Sequence, residues 1–200
     1  SPQIATLAGA PQILIFNHAS FAGHDPEDGR VLWEVPWSGR NPNVAQLVPV
    51  GDDALIVSAG YGDGCARYRI ARDAEGGFTA TQAWRSRRLK AKFANFVHRD
   101  GSLYGLDDGI FTCVDAADGR RRWKGGRYGH GQLILIGDVL LVMAETGDVV
   151  LVEATPAEHR EIASLSVFAD KTWNSPAFAA PYLLVRNDVE AACFELPLAE

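Results

Sequence analysis

The sequence predicts an all-β chain built from repeated four-stranded antiparallel sheets, and three observations carry that expectation. A spaced trio recurs: Asp25, Gly29 and Trp33 stand four residues apart, and Asp115, Gly119 and Trp123 repeat that spacing 90 residues later. Around the trios lie short apolar runs of strand-forming residues broken at tight-turn dipeptides, as in QLILIGDVLLVMA. No helical period interrupts them. A self-similar unit of about 45 residues holding four short strands describes one blade of a β-propeller.

Taken in order, the first unit, residues 1–37, opens on SPQIATLAGAPQILIF and reaches Trp33 within HDPEDGRVLWEV. The second, 43–89, starts with QLVPVGDDALIVSA, continues through CARYRIA and holds a stretched trio of Asp73, Gly77 and, after a longer turn, Trp84. The third, 93–127, joins NFVHRDGSLYGL to IFTCVDA and ends on VDAADGRRRWKG. The fourth, 131–168, keeps only Glu153 in the Asp position, and the fifth, 174–200, is partial, with Glu195 there. In each complete copy the Asp should accept from backbone amides in the turn between third and fourth strands. The Gly should take the left-handed conformation, and the Trp should lie against the neighbouring sheet. Residue 1 already lies in a first strand, so no spare strand is left to finish the fifth unit. The expectation is about four and a half blades, as an open arc or part of a seven- to eight-bladed ring whose missing blades lie on another segment.

This signature, following an apolar third strand, resembles the repeat of the pyrroloquinoline-quinone (PQQ)-like β-propeller family over residues 1–198. That family includes quinoprotein dehydrogenases, an outer-membrane assembly lipoprotein and many bacterial propellers. The resemblance implies a tryptophan-docking motif, a periplasmic or extracellular location, and one of two functions. The first is a non-catalytic binding or scaffolding module with no cofactor. The alternative is a fragment of a PQQ- and calcium-dependent oxidoreductase, with Asp107-Asp108 and Asn187-Asp188 as the available calcium donors. The dehydrogenases also carry adjacent cysteines and a catalytic Asp beside the quinone. Here Cys65, Cys113 and Cys193 are dispersed, and no such Asp can be assigned. The three thiols are expected as small buried side chains, with Cys113 and Cys193 in equivalent positions two blades apart.

A formal charge of −6 argues against wholesale binding of nucleic acid, and no apolar run is long enough to span a membrane. Gly60-Tyr61-Gly62-Asp63-Gly64 has a strand rather than a helix after it, so it reads as a turn and not a phosphate cradle. In a blade, the connections from fourth to next first strand share one face with the turns between second and third strands. These segments gather Asn43, Tyr61, Lys92, Tyr128, His130, Lys171, Trp173 and Asn174 as candidate ligand-binding residues. Aromatic, amide and cationic groups together suit a planar anion, a sugar or a peptide, so the expected partner is a protein or a carbohydrate. No catalytic or metal-binding residue is assigned. Hydrolase or lyase chemistry would require Tyr128, His130 and Lys171 to converge.

Overall fold

The computed structural model describes residues 1–197, so 198–200, expected in the fifth unit, lie outside the described residues. The described chain is all β and forms five antiparallel sheets. The first holds β1 (Gln3–Leu7), β2 (Ala10–Phe16), β3 (Ser20–His24) and β4 (Val31–Pro36). The second holds β5 (Val48–Pro49), β6 (Ala54–Ala59), β7 (Gly64–Arg72) and β8 (Phe78–Ser86). The third comprises β9 (Val97–Arg99), β10 (Ser102–Asp107), β11 (Ile110–Asp115) and β12 (Arg121–Arg127). The fourth comprises β13 (Gln132–Ile136), β14 (Val139–Met143), β15 (Asp148–Glu153) and β16 (Glu161–Ser166). The fifth has three described strands, β17 (Ala177–Ala179), β18 (Tyr182–Arg186) and β19 (Ala191–Glu195). Strands pair in sequence order within every sheet, and the sheets form a partial propeller that does not close. No helix among the described residues is long and apolar enough to cross a membrane.

Tight turns set this pairing. Leu7 and Ala10 are joined through Ala8 (φ 50°) and Gly9 (φ 75°), and Arg99 and Ser102 through Asp100 (φ 46°) and Gly101 (φ 75°). Two consecutive left-handed residues match the right-handed twist of the strands they connect. The wider turns of the trios use side-chain capping. Asp25 Oδ1 accepts from the Glu27 amide at 3.0 Å, and Asp115 Oδ1 from the Ala117 amide at 2.7 Å. Gly29 (φ 76°) and Gly119 (φ 73°) then close each turn with a backbone bond to the Asp carbonyl. The second sheet departs from expectation. There Gly76 (φ 88°), not Gly77, takes the left-handed conformation, because this turn closes one residue earlier. Gly77 instead donates to Asp73 Oδ1 at 2.7 Å.

The core is divided among the junctions between sheets, one apolar cluster to each of four junctions. The inner sheets therefore bury both faces, and their middle strands are apolar at successive positions. In β14, Leu140 and Val142 pack toward the third sheet, whereas Leu141 and Met143 pack toward the fifth. Burying each such side chain stabilises the fold by about 1.5–3 kcal/mol. The first strands lie innermost, around a cavity of about 500 Å³ lined from Gln3, Gln46, Asn95, Phe96 and Leu133 among others.

The tryptophans face the next sheet, but their N–H groups do not act alike. Trp84 donates to Ala116 O at 3.2 Å and Trp123 to Thr155 O at 2.8 Å, each a carbonyl of the following sheet's turn. Trp33 packs in the first junction cluster, yet it donates to Gln12 Oε1 at 2.6 Å within its own sheet. Gly23 makes room for this, since a Cβ there would sit 2.5 Å from the indole nitrogen. In the third sheet the corresponding residues are Cys113 and Ser102, and Ser102 is too short to reach Trp123. The cysteines also differ from expectation. Cys65 and Cys113 are buried, but Cys193 is exposed, on a face of the fifth sheet that no described sheet covers.

Gly119→Ala should cost about 1–2 kcal/mol for a left-handed L-residue. It should lose about 1–3 kcal/mol more from overpacking, since the new Cβ falls 2.8 Å from Trp84. Gly51→Ala incurs only the first cost, having nothing within 4 Å. Urea unfolding should rank G119A below G51A; equal losses would mean that Trp84 does not rest on this turn. Burial pushes the Cys65 thiol up to about 12 and the Cys113 thiol to about 11. A thiol-specific reagent should accordingly label Cys193 alone in the native chain and all three thiols after denaturation.

Candidate ligand-binding face

The loops between sheets are positioned from beneath by amide side chains. Gln3, Asn95 and Gln132 each stand four residues before the last position of a first strand, at Leu7, Arg99 and Ile136, and Gln46 stands three before Pro49. Gln46 receives its link from the third sheet: its backbone N–H donates to Asn95 Oδ1 at 2.8 Å, and Asn95 Nδ2 donates back to Gln46 Oε1 at 3.2 Å. Gln132, buried, donates to the Phe93 carbonyl at 2.7 Å. That bond ties the loop before the third sheet to the inner strand of the fourth, and it fixes where Phe93 projects.

Phe93 is the centre of an aromatic group drawn from four segments. Its ring lies 6.4 Å from Tyr61, 5.4 Å from His130 and 5.3 Å from Trp173, the first two contacts edge-on and the last tilted by 35°. The Lys92 ammonium sits 4.6 Å from the Tyr61 ring centre and 5.2 Å from that of Phe93, and Lys171 sits 4.2 Å from that of Trp173. These are cation–π distances. Tyr61 and Trp173 remain 43% and 41% exposed.

Glu145, in the turn between β14 and β15, locks two of these loops together. Its carboxylate accepts from the His130 backbone N–H at 3.0 Å and from the Trp173 indole N–H at 2.8 Å. Its own amide donates to the Tyr128 carbonyl, and its carbonyl accepts from the Thr172 amide. Gly129 (φ 63°) leaves the space that the carboxylate occupies. The His130 N–H, opposed by partial burial and helped by the Trp173 indole, holds the Glu145 carboxyl below the usual carboxylate range.

Five of the eight expected residues, Tyr61, Lys92, His130, Lys171 and Trp173, thus share one surface. Three stand apart. Asn43 straps its loop to the first sheet, donating to the carbonyls of Asn17 at 2.8 Å and His18 at 2.9 Å. Asn174 is partly buried and has no side-chain hydrogen bond among the described residues. Tyr128 turns inward; its hydroxyl donates to Glu161 at 2.6 Å and lies 2.8 Å from His159 Nε2. Burial and the Glu161 carboxylate raise its pKa. Tyr128, His130 and Lys171 therefore do not converge. Phe93 was missed because it is an apolar residue in a polar loop. Its register gives it away: it stands two before Asn95, as His130 stands two before Gln132.

A second charged group lies deeper, between the second and third sheets. Asp107, fully buried, accepts from Lys90 at 2.5 Å, from Arg121 at 3.3 Å and from Lys124, and Lys90 also reaches Asp108 at 3.0 Å. Among the described residues no three His, Cys, Asp or Glu side chains gather where a metal ion could sit.

Residues 17–181 match the family model described as outer membrane protein assembly factor BamB. None of the curated proteins matches the sequence. Among solved structures the chain is similar to BamB from Moraxella catarrhalis, with a TM-score of 0.67 and 14% identity. That match covers 97% of this chain, which spans only 57% of the length of its relative. The computationally designed proteins Ika8 and Ika4 are also similar. Ika8 has a TM-score of 0.60 and 11% identity, covering 98% of this chain and 67% of that one. Ika4 has a TM-score of 0.54 and 10% identity, covering 79% and 93%. At these identities the solved structures establish the fold alone.

Because the Glu145 pKa is lowered on folding, its stabilising contribution is present above the ordinary value of 4.5 and is lost as pH falls through the lower, folded value. Stability measured from pH 6 down to about pH 3 should decline more steeply in the native chain than in Glu145→Gln. Parallel profiles would mean that the carboxylate does not hold the two loops.

Proposed function

The chain belongs to the BamB family of PQQ-like β-propellers, and from that premise we propose that it is a non-catalytic module that binds a partner protein through its loop-bearing face. The observation that carries this reading is the Tyr61, Phe93, His130 and Trp173 group, in which four loops and turns present partly exposed aromatic rings on a rigid sheet framework. Interfaces concentrate such rings at their centres, because a ring removes much apolar area from water at little entropic cost. The family model's description, an outer-membrane assembly factor, supports a scaffolding role and a periplasmic or extracellular setting.

The chemistry of the donors supports a module without quinone or calcium. The Asp107 carboxylate is already neutralised by Lys90, Arg121 and Lys124. Asn187 Oδ1 is engaged by the amides of Val189 and Glu190 in its own turn. Neither candidate pair therefore offers calcium the set of free oxygens that it requires, and the residues present do not fit the quinone centre of the related dehydrogenases.

A photo-crosslinking residue placed at Tyr61 or Trp173, in the full-length protein in its own cells, should trap a discrete protein adduct. The same residue at Glu75 or Asp118, in turns of the opposite face, should not. Adducts only from the opposite face would refute the reading.

A further inference from the structure

The two faces of the arc treat their cations differently. On the face formed by the first-to-second and third-to-fourth strand turns, the arginines are neutralised locally except Arg72, which stands over the Phe78 ring. Arg30 pairs with Asp25 and Asp28, Arg69 with Asp53, Arg99 with Asp100 and Asp138, Arg120 with Asp118, Arg122 with Asp115, and Arg160 with Glu153. On the loop-bearing face, Arg40, Arg87, Arg88, Lys92, Arg127 and Lys171 form no ion pair among the described residues. The carboxylates beside them, Asp63, Glu145 and Asp170, keep their charge without closing an ion pair: Asp63 accepts from Ser38, and Glu145 accepts from the His130 amide and the Trp173 indole while feeling the charge of Lys171. Within an acidic chain of formal charge −6, two ammonium groups without an ion pair among the described residues, Lys92 and Lys171, thus stand over the exposed aromatic group.

From this asymmetry we propose that the loop-bearing face binds an extended acidic peptide segment, whose carboxylates meet Lys92 and Lys171 while its apolar side chains cover Tyr61 and Trp173. The inference rests on the binding-module reading above and specifies its ligand. Complementary charge at an interface sets partner choice and encounter rate more than affinity. The face also carries an internal example of the contact: Glu145 is a carboxylate already received by a loop amide and an indole N–H. The edges of aromatic rings, which bear positive potential, accept carboxylate oxygens in the same sense.

Two alternative ligands fit less well. A neutral sugar stacks its C–H surface on an open ring face, but Lys92 stands over Tyr61 and Phe93, and Lys171 over Trp173. Stacking would have to displace an ammonium from each ring. An anionic polysaccharide would satisfy the cations, yet it brings no apolar groups to cover rings that are 43% and 41% exposed.

The test measures fluorescence anisotropy of a labelled peptide alternating Glu with Leu and Ala, against its Lys-for-Glu counterpart, with heparin and anionic phosphatidylglycerol vesicles as competitors. The acidic peptide should bind and the basic one should not, and affinity should fall as salt is raised. Lys92→Gln and Lys171→Gln should each weaken binding about threefold, the range of a solvent-facing ion pair. Arg120→Gln, on the opposite face, should leave binding unchanged, and thermal melts will show that all three variants stay folded. Preference for heparin or vesicles, or indifference to both lysine variants, would overturn the proposal. If no peptide binds while crosslinks at Tyr61 and Trp173 still trap a protein, the acidic chemistry is wrong and the binding face stands. If those crosslinks fail as well, both readings fall.

Discussion

A sheet with two apolar faces cannot rest against water on either side. This constraint organises the chain. In β6, Leu55 and Val57 pack back toward the first sheet, while Ile56 packs forward toward the third. β10 and β14 repeat the arrangement, so each inner sheet needs a neighbour before and after it. The radial stacking follows from that need, and with it the inner position of the first strands and the gathering of the interblade loops on one rim. The fifth sheet shows the counter-case: Leu183 and Val185 are buried against the fourth sheet, while Tyr182 and Leu184 on the other face are 52% and 48% exposed.

Much of this was legible in the sequence because it is local. The Asp-Gly turns work through one side chain and one backbone conformation, so Asp25 with Gly29 and Asp115 with Gly119 could be read directly. The middle strands declared themselves through apolar residues at consecutive positions. What could not be read depended on partners distant in sequence. Gly76 and Gly77 are adjacent, and only the closure of the turn decides which becomes left-handed. Trp33 and Trp123 have the same spacing, but a Gln at position 12 captures one indole, and a Ser in the corresponding place cannot capture the other. Loop composition gathered Tyr61, Lys92, His130, Lys171 and Trp173, which the fold brings together, but did not reveal the direction of Tyr128, whose ring is turned by His159 and Glu161 of the next blade.

The rim itself is more ordered than its polar loops would imply. Gln132 holds Phe93 from below and Glu145 holds His130 and Trp173 from the side. The aromatic rings are therefore carried on backbone whose hydrogen bonds are largely satisfied within the protein. A partner meeting such a surface loses little free energy to ordering it.

The division of the core into separate junctions also bears on how such a chain changes over generations. Each cluster involves only two adjoining sheets, so stability is close to a sum of neighbour terms. A lesion in one unit is felt by its immediate neighbours and hardly beyond. The fourth copy has lost both the Gly and the Trp of the trio, yet its turn still closes through Glu153 and Arg160, and it still receives the Trp123 indole. Redundancy of this kind makes the array fault-tolerant.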